Sequence, residues 1–141
     1  MRLLQSKSYW EPRQWFVYEE ALRKLEGSGC GGLYQVCLPT RSEPVKYPNG
    51  ESSVLYIGRA INLYQRLKKH KEGRTKVGRA IYKFAKELGI KNPWQELEVG
   101  LEILLLSVGE LREEERKLLT GFMEKFGSRP RFNLFLDRSA L

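Results

Sequence analysis

Residues 56–70 read YIGRAINLYQRLKKH, and this stretch predicts a strand that passes through a turn directly into a helix. Residues 53–57 are mainly aliphatic or aromatic, which favours a strand. Asn62 is a favourable helix N-cap, and Gln65 three residues later completes a capping-box pattern. We therefore expect the helix to begin at Asn62 and to run to about Lys71.

One side of this helix carries two residues suited to phosphate chemistry. Arg66 and His70 are four residues apart, so both side chains project from the same side. Leu63 and Leu67 share that side and would dock the helix on a sheet. An arginine supplies a permanent cation with a planar fork of donors, which suits a phosphate group.

Hydrophobic periodicity predicts elements on both sides of this stretch. In chain order they are a helix over residues 13–25, a strand over 32–38, a helix over 76–88, a strand over 97–106, and a helix that starts at a Ser107–Glu110 capping box and ends at Gly127. Residues 39–52 are polar and turn-prone. The order α-β-β-α-α-β-α predicts an α+β fold in which helices cover a small three-stranded sheet.

The charge balance points to a polyanionic partner. Lys and Arg total 25 against 17 Asp and Glu, which gives a net charge of +8 and a pI near 9.6. This favours binding to nucleic acid or to an anionic membrane surface. The ion-rich surface of a thermophilic protein would have a similar composition, so charge alone does not choose among these interpretations.

Length and cysteine use indicate a single intracellular domain. The chain has 141 residues and no apolar run long enough to span a membrane. Residues 1–10 contain no apolar stretch suited to a signal peptide, which predicts a cytoplasmic location. Cys30 and Cys37 match no zinc spacing and His70 is the single histidine, so a His/Cys metal centre is nearly excluded. Small buried or half-buried side chains, rather than one disulfide, are the better interpretation of the cysteines.

Two tripeptides on the paired strands, Gly32-Leu33-Tyr34 and Tyr56-Ile57-Gly58, resemble the motifs of the GIY-YIG nuclease superfamily. The longer pattern Tyr-Ile-Gly-Arg-Ala-x-Asn-Leu-x-x-Arg-x-x-x-His is the more specific part of the resemblance. The likeness covers residues 32–133 as a nuclease core and leaves residues 1–27 as an N-terminal helical extension of one domain, 1–141. It implies an antiparallel sheet and hydrolysis of nucleic-acid phosphodiesters with Mg²⁺ or Mn²⁺.

The resemblance also implies roles for individual residues. Tyr34 and Tyr56 would be the two motif tyrosines, one of which helps to deprotonate the attacking water. Gly58 would let the backbone turn tightly, Arg66 would hold the scissile phosphate, and His70 would carry a proton or contact a phosphate. A free tyrosine has a pKa near 10 and is a poor base, but nearby cations could lower that pKa. We prefer Tyr34 as the general base and leave Tyr56 open.

A glutamate that binds metal and an asparagine near the C-terminus complete the site that the resemblance implies. Helical phase favours Glu115, which follows Leu111 by four residues and precedes Leu118 by three, on the apolar face of the last helix. A carboxylate there is costly unless it is paired or bound to metal. Glu115 is therefore the expected metal ligand, with Glu114 as the alternative, and Asn133 is the matching asparagine.

A run of cations extends from the helix that carries Arg66 and predicts a nucleic-acid-binding surface, although a solvated helix end would look similar. The expected nucleic-acid-binding residues are Arg59, Lys68, Lys69, Lys71, Arg74 and Lys76. The sequence thus predicts a metal-dependent endonuclease that prefers DNA to RNA and binds no membrane. A partner protein or self-association could supply target specificity. The alternative is a catalytically inactive module that binds nucleic acid or is recruited to a complex.

Overall fold

A four-stranded sheet organises residues 10–133, the part of the chain that the computed structural model describes. The strands are β1 (Gln14–Val17), β2 (Gly32–Cys37), β3 (Val45–Tyr47), β4 (Gly50–Ser52), β5 (Val54–Ala60) and β6 (Glu98–Ile103). The helices are α1 (Tyr18–Leu25), α2 (Leu63–Lys71), α3 (Lys76–Glu87), α4 (Pro93–Glu96) and α5 (Val108–Phe126). The main sheet has the order β1-β6-β2-β5 with every neighbouring pair antiparallel, and β3 and β4 form a separate hairpin. The predicted class, an antiparallel sheet flanked by helices, is confirmed, but the sheet has four strands rather than three.

The fourth strand is β1, which corrects the prediction of a helix over residues 13–25. Only Tyr18–Leu25 is helical, because residues 14–17 pair with β6. The backbone N–H and C=O groups on that side of β6 require partners. Pairing with these groups outweighs the helical periodicity of residues 13–25 that predicted a helix. At the junction with α1, the N–H of Tyr18 donates to the carbonyl of Leu97 at 2.8 Å.

The hairpin of β3 and β4 was not apparent in the sequence of residues 39–52. Its strands have three residues each, too few for a clear alternation of polar and apolar side chains. Tyr47 holds the hairpin to the rest of the fold by donating its hydroxyl to the carbonyl of Val54 at 2.8 Å. The Tyr47 ring also meets Phe122 edge-on at 5.1 Å and lies 6.0 Å from Phe126. The hairpin therefore belongs to the core beside α5.

Both faces of the main sheet are buried. One face packs against α1, α2, α3 and α4, where Tyr34 and Leu67 are among the fully covered side chains. The other face packs against α5 through Ile57, Leu119 and Phe122. Because β5 is an edge strand of this sheet, α2 and α5 approach the same edge from opposite faces.

The N-cap at Asn62, the capping box at Ser107 and the end of α5 at Gly127 are confirmed. The Asn62 side chain accepts a hydrogen bond from the N–H of Gln65 at 3.0 Å. Ser107 and Glu110 form the reciprocal capping box at the start of α5. Gly127 ends that helix with a φ of 83°, in the left-handed region that favours glycine.

The segment from β6 to α5 differs from the prediction. The strand ends at Ile103 rather than continuing to residue 106, and Leu105 is almost fully exposed. Among the described residues, no disulfide joins Cys30 to Cys37. The helices of this part of the chain include none with the length and apolar character needed to cross a membrane.

Candidate active site

A chain of side-chain hydrogen bonds connects the sheet to two helices. The Tyr34 hydroxyl on β2 lies 2.7 Å from Nε2 of His70 near the end of α2. Nδ1 of His70 lies 2.6 Å from the hydroxyl of Thr75, which also accepts from the N–H of Gly78 at 2.9 Å. A neutral imidazole donates through one nitrogen and accepts through the other, so this chain can pass a proton between its members.

Burial keeps the side chains of Tyr34 and His70 neutral. Burial, with a smaller contribution from the nearby Arg66 guanidinium, lowers the pKa of His70 to about 3. Burial also raises the pKa of Tyr34 well above its usual value; Tyr56 adds to this rise, and Arg66 opposes it. The expectation that cations lower the pKa of Tyr34 is therefore wrong for the free protein. Arg66 acts in the expected direction, but desolvation of the phenolate outweighs it.

Gly58 leaves space for the Tyr34 ring, a role that the sequence did not suggest. The two residues are directly paired across β2 and β5. A Cβ added at Gly58 would lie 2.5 Å from Cζ and 2.6 Å from the hydroxyl oxygen of Tyr34. Gly58 is not among the described glycines with positive φ, so a tight backbone turn is not the reason for it. The glycine provides the space that the phenol ring occupies.

Tyr56 completes a cluster of three rings on the same face. Its ring centroid lies 6.0 Å from that of Tyr34 and 6.0 Å from that of His70. Tyr34 is fully buried and Tyr56 nearly so. The structure thus brings the two motif tyrosines and the histidine together, but neither phenol faces open solvent.

Glu115 approaches the same edge of the sheet from α5. Its Oε1 lies 2.5 Å from Nη1 of Arg59, and the two side chains are only 14% and 27% exposed, respectively. Glu113 and Glu114 are 47% and 41% exposed and pair instead with Arg116 and Lys117 of their own helix. The helical-phase argument is confirmed on this point: of the three glutamates, Glu115 is the one that faces the sheet.

A cleft of about 390 Å³ opens where β5, α2 and α5 meet. Three of its lining residues are cations, namely Arg59, Arg66 and Lys69. Neutral side chains complete the lining, namely Ala60, Ile61, Asn62, Gln65, Val108 and Leu111. The cleft therefore combines positive charge with apolar surface. Tyr34, Tyr56, His70 and Glu115 are not among the residues that line it. Arg66 connects it to Tyr34 and His70, because the charge of Arg66 acts on the pKa of both.

The other predicted cations do not reach this cleft. Lys68 and Lys71 line a separate groove against α1. Lys71 pairs with Glu19 at 2.9 Å, and Lys68 and Arg74 lie near Glu72 at 4.0 and 3.7 Å. Lys76, on the first turn of α3, is exposed and does not line the cleft either. The basic run is thus divided between two surfaces.

Asn133 fixes the outer edge of β5 rather than lining the cleft. It is almost fully buried; its carbonyl oxygen accepts from the N–H of Ile57 and its amide donates to the carbonyl of Ile57, each at 2.9 Å. The N–H of Phe132 donates to the carbonyl of Leu55 at 3.0 Å. These bonds satisfy an otherwise unpaired strand edge one residue before Gly58.

The side chains at this edge of the sheet suit a hard cation that keeps most of its water ligands, rather than one that is enclosed by protein ligands. Within residues 10–133, no group of three or more His, Cys, Asp or Glu side chains is close enough to hold a metal ion. Glu115 offers one half-buried carboxylate. Mg²⁺ commonly binds one or two carboxylates and keeps several waters, so a single glutamate fits it.

Thr75 is the member of this hydrogen-bonded series that the sequence did not point to. It is the N-cap of α3, where its hydroxyl binds the N–H of Gly78. A threonine just before a predicted helix signals a cap. That signal does not predict a contact with His70, because the contact depends on the bend between α2 and α3.

Residues 31–97 match the family model described as the GIY-YIG catalytic domain. The resemblance noted in the sequence is confirmed over this segment, and the family consists generally of nucleases. The segment contains Tyr34, Tyr56, Arg66 and His70 and stops before Glu115. Neither the curated proteins nor the solved structures give a significant match to the chain.

The pKa of His70 predicts a pH-dependent loss of stability. The unfolded chain takes up a proton at His70 near pH 6.5, whereas the folded chain resists this until about pH 3. The free energy of unfolding should therefore fall as the pH drops below 6.5, by about 2 kcal/mol on reaching pH 5. Urea titrations from pH 7 to 5 measure this. His70→Gln should flatten the dependence, because most carboxylates are still ionised there; an unchanged slope would contradict the burial argument.

Gly58→Ala should damage the site by displacing Tyr34. The added methyl group meets a buried ring that is held by His70, so we expect a loss of about 2 kcal/mol or more in the free energy of unfolding. Gly109→Ala is the matched control, since a Cβ there meets nothing within 4 Å. It should be neutral or slightly stabilising in its helix. Equal stability of the two variants, measured by thermal and urea unfolding, would show that the Tyr34 ring does not need this space.

Proposed function

We propose that the chain is a divalent-metal-dependent endonuclease that hydrolyses phosphodiester bonds in nucleic acid, with DNA preferred to RNA. The observation that carries this proposal is the hydrogen-bonded Tyr34–His70 pair, whose pKa values respond to the charge of Arg66. Arg66 also lines a cleft together with Arg59 and Lys69. The pair lies in the segment that matches a catalytic domain of generally nucleolytic proteins.

Arg66 is the residue proposed to hold the scissile phosphate. It lines the cleft, and its charge acts on both Tyr34 and His70, as their pKa shifts indicate. A guanidinium can donate two parallel hydrogen bonds to a phosphate and stabilise the charge that develops during attack. Arg59 and Lys69 would neutralise neighbouring phosphates, in keeping with the net charge of +8.

Tyr34 and His70 are proposed to act as one proton-accepting unit. The phenol oxygen would take a proton from the attacking water while its own proton moves to Nε2 of His70, which is 2.7 Å away. Arg66 lowers the pKa of His70 in the free protein, so a phosphate bound to Arg66 would offset that charge and raise the proton affinity of the imidazole. Because Tyr34 is fully buried, this transfer requires the site to open when nucleic acid binds.

Glu115 is proposed to hold the cation, Mg²⁺ or Mn²⁺, through its single carboxylate. When bound, such a cation supplies positive charge for the developing transition state and for the leaving oxygen. Asn133 would act at a distance by holding the backbone of β5 next to Gly58. A cytoplasmic location, and a partner protein or a second copy that supplies target specificity, remain parts of the proposal.

A nucleic-acid-binding module that does not cut is the second candidate. Two observations favour it: the Tyr34 phenol has no exposed surface, and the carboxylate of Glu115 is already bound by Arg59. Such a module would keep the cationic cleft and bind nucleic acid without hydrolysis.

Nicking of supercoiled plasmid separates the two candidates. With Mg²⁺ or Mn²⁺ the wild type should convert plasmid to open circles, and EDTA should stop it. Arg66→Ala and Glu115→Ala should each lower the rate about 100-fold or more, as when a group that stabilises the transition state is removed. Lys68→Ala is the matched control on the same helix and should cut normally. Binding without cutting, across plasmid, branched, single-stranded and RNA substrates, would support the module.

The two motif tyrosines can be distinguished by removing one hydroxyl at a time. Tyr34→Phe keeps the ring but breaks the bond to His70, and should abolish cleavage while DNA binding persists. Tyr56→Phe should retain more activity if Tyr34 accepts the proton. Single-turnover rates over a range of pH measure the difference. The reverse order of rates would assign the general base to Tyr56.

Salt dependence tests which cations contact phosphates. Lys69→Gln should reduce the slope of log affinity against log salt by about 0.9, the value expected for one lost phosphate contact on duplex DNA. Lys68→Gln should leave the slope nearly unchanged, because that side chain faces Glu72 in the other groove. The slopes are measured by fluorescence anisotropy. Equal slopes for the two variants would mean that Lys69 contacts phosphate no more than Lys68 does.

A further inference from the structure

The ion pair between Arg59 and Glu115 joins two residues with different proposed ligands. Glu115 would bind a divalent cation and Arg59 would bind a phosphate, yet each now binds the other at 2.5 Å. Both side chains are largely covered, so the pair is more than a solvated surface contact. The protein's own cation thus occupies the carboxylate that the metal requires.

Arg59 also borders the cleft that would receive a phosphate. It belongs to β5 and lines the same cleft as Arg66 and Lys69, where a phosphate would lie. A metal ion bound to Glu115 would repel the guanidinium toward that cleft, and a phosphate would attract it there. The same movement frees the carboxylate and releases the charge of Arg59 from its ion pair, so that it can act on the phosphate.

We propose that Arg59 acts as an internal stand-in for the metal on Glu115 and couples metal binding to nucleic-acid binding. This inference rests on the proposed function of the site. Breaking the ion pair costs free energy, and either ligand alone must meet that cost. Once one ligand has broken the pair, the other binds without it, so each ligand raises the affinity of the chain for the other by the same factor.

The first test measures Mn²⁺ binding in the absence of nucleic acid, by paramagnetic resonance of the free ion. Arg59→Gln should bind Mn²⁺ at least about fivefold more tightly than the wild type, the lower end of ordinary coupling between sites. Lys69→Gln is the matched control, because it removes the same charge from the same cleft. Among the described residues, no ion pair joins Lys69 to Glu115, so Lys69→Gln should gain much less. Glu115→Gln should bind Mn²⁺ poorly.

The second test adds a short DNA duplex to proteins that also carry Tyr34→Phe, which should prevent cleavage. The duplex should raise the Mn²⁺ affinity of the Arg59 form, and Arg59→Gln should remove most of that increase. The Lys69→Gln form, measured at duplex concentrations that saturate each variant, should keep that increase. Circular dichroism and thermal unfolding check that each variant is folded.

The outcomes separate this inference from the proposed function. If Arg59→Gln and Lys69→Gln bind Mn²⁺ equally and DNA raises both affinities alike, Arg59 is not a stand-in, while the nuclease proposal is untouched. If Glu115→Gln binds Mn²⁺ as well as the wild type, or if no form binds it, both the inference and the metal-binding role of Glu115 are overturned.

Discussion

The hydrogen bond between Tyr34 and His70 is the centre of a connection between three elements that are separate in the sequence. It connects β2 to the end of α2, and Thr75 extends the connection to α3. Gly78 permits this approach, because a Cβ there would lie 2.1 Å from the carbonyl oxygen of His70. With both central groups buried and neutral, the bond is an internal contact of the core as much as a feature of the site. In the free protein, packing therefore fixes the positions of the two groups that the proposed proton transfer uses.

The position of β5 at the edge of the sheet explains why the candidate site has two sides. Residues on one face of β5 meet α2, and residues on the other face meet α5, so Arg66 and Glu115 reach the same end of the strand from opposite directions. Asn133 occupies the outer edge of the strand and satisfies both backbone groups of Ile57. The cleft opens only beyond this point, where β5 leaves the sheet and enters α2.

The sequence predicted the parts of the fold that depend on neighbouring residues. The caps at Asn62 and Ser107, the αL glycine at Gly127 and the inward phase of Glu115 all follow from spacing along one helix, and all agree with the structure. Strand β1 was missed because its pairing with β6 is a contact between distant segments that overrides local periodicity.

The site was predictable to a similar extent. The resemblance and the spacing named Tyr34, Arg66 and His70 as candidates, and their roles stay predictions; neither indicated the depth at which Tyr34 and His70 lie. Since burial dominates the shift in the pKa of Tyr34, the direction of that shift could not be predicted from the neighbouring cations alone.

The strand order also affects where the chain could be truncated. The family-matched segment, residues 31–97, includes β2 and β5 but excludes β6, the strand between β1 and β2. Cutting the chain at these limits would leave the inner side of β2 unpaired, and an exposed strand edge promotes aggregation between molecules. The matched segment thus contains the motif, whereas the sheet to which it belongs is completed by strands on both sides of that segment.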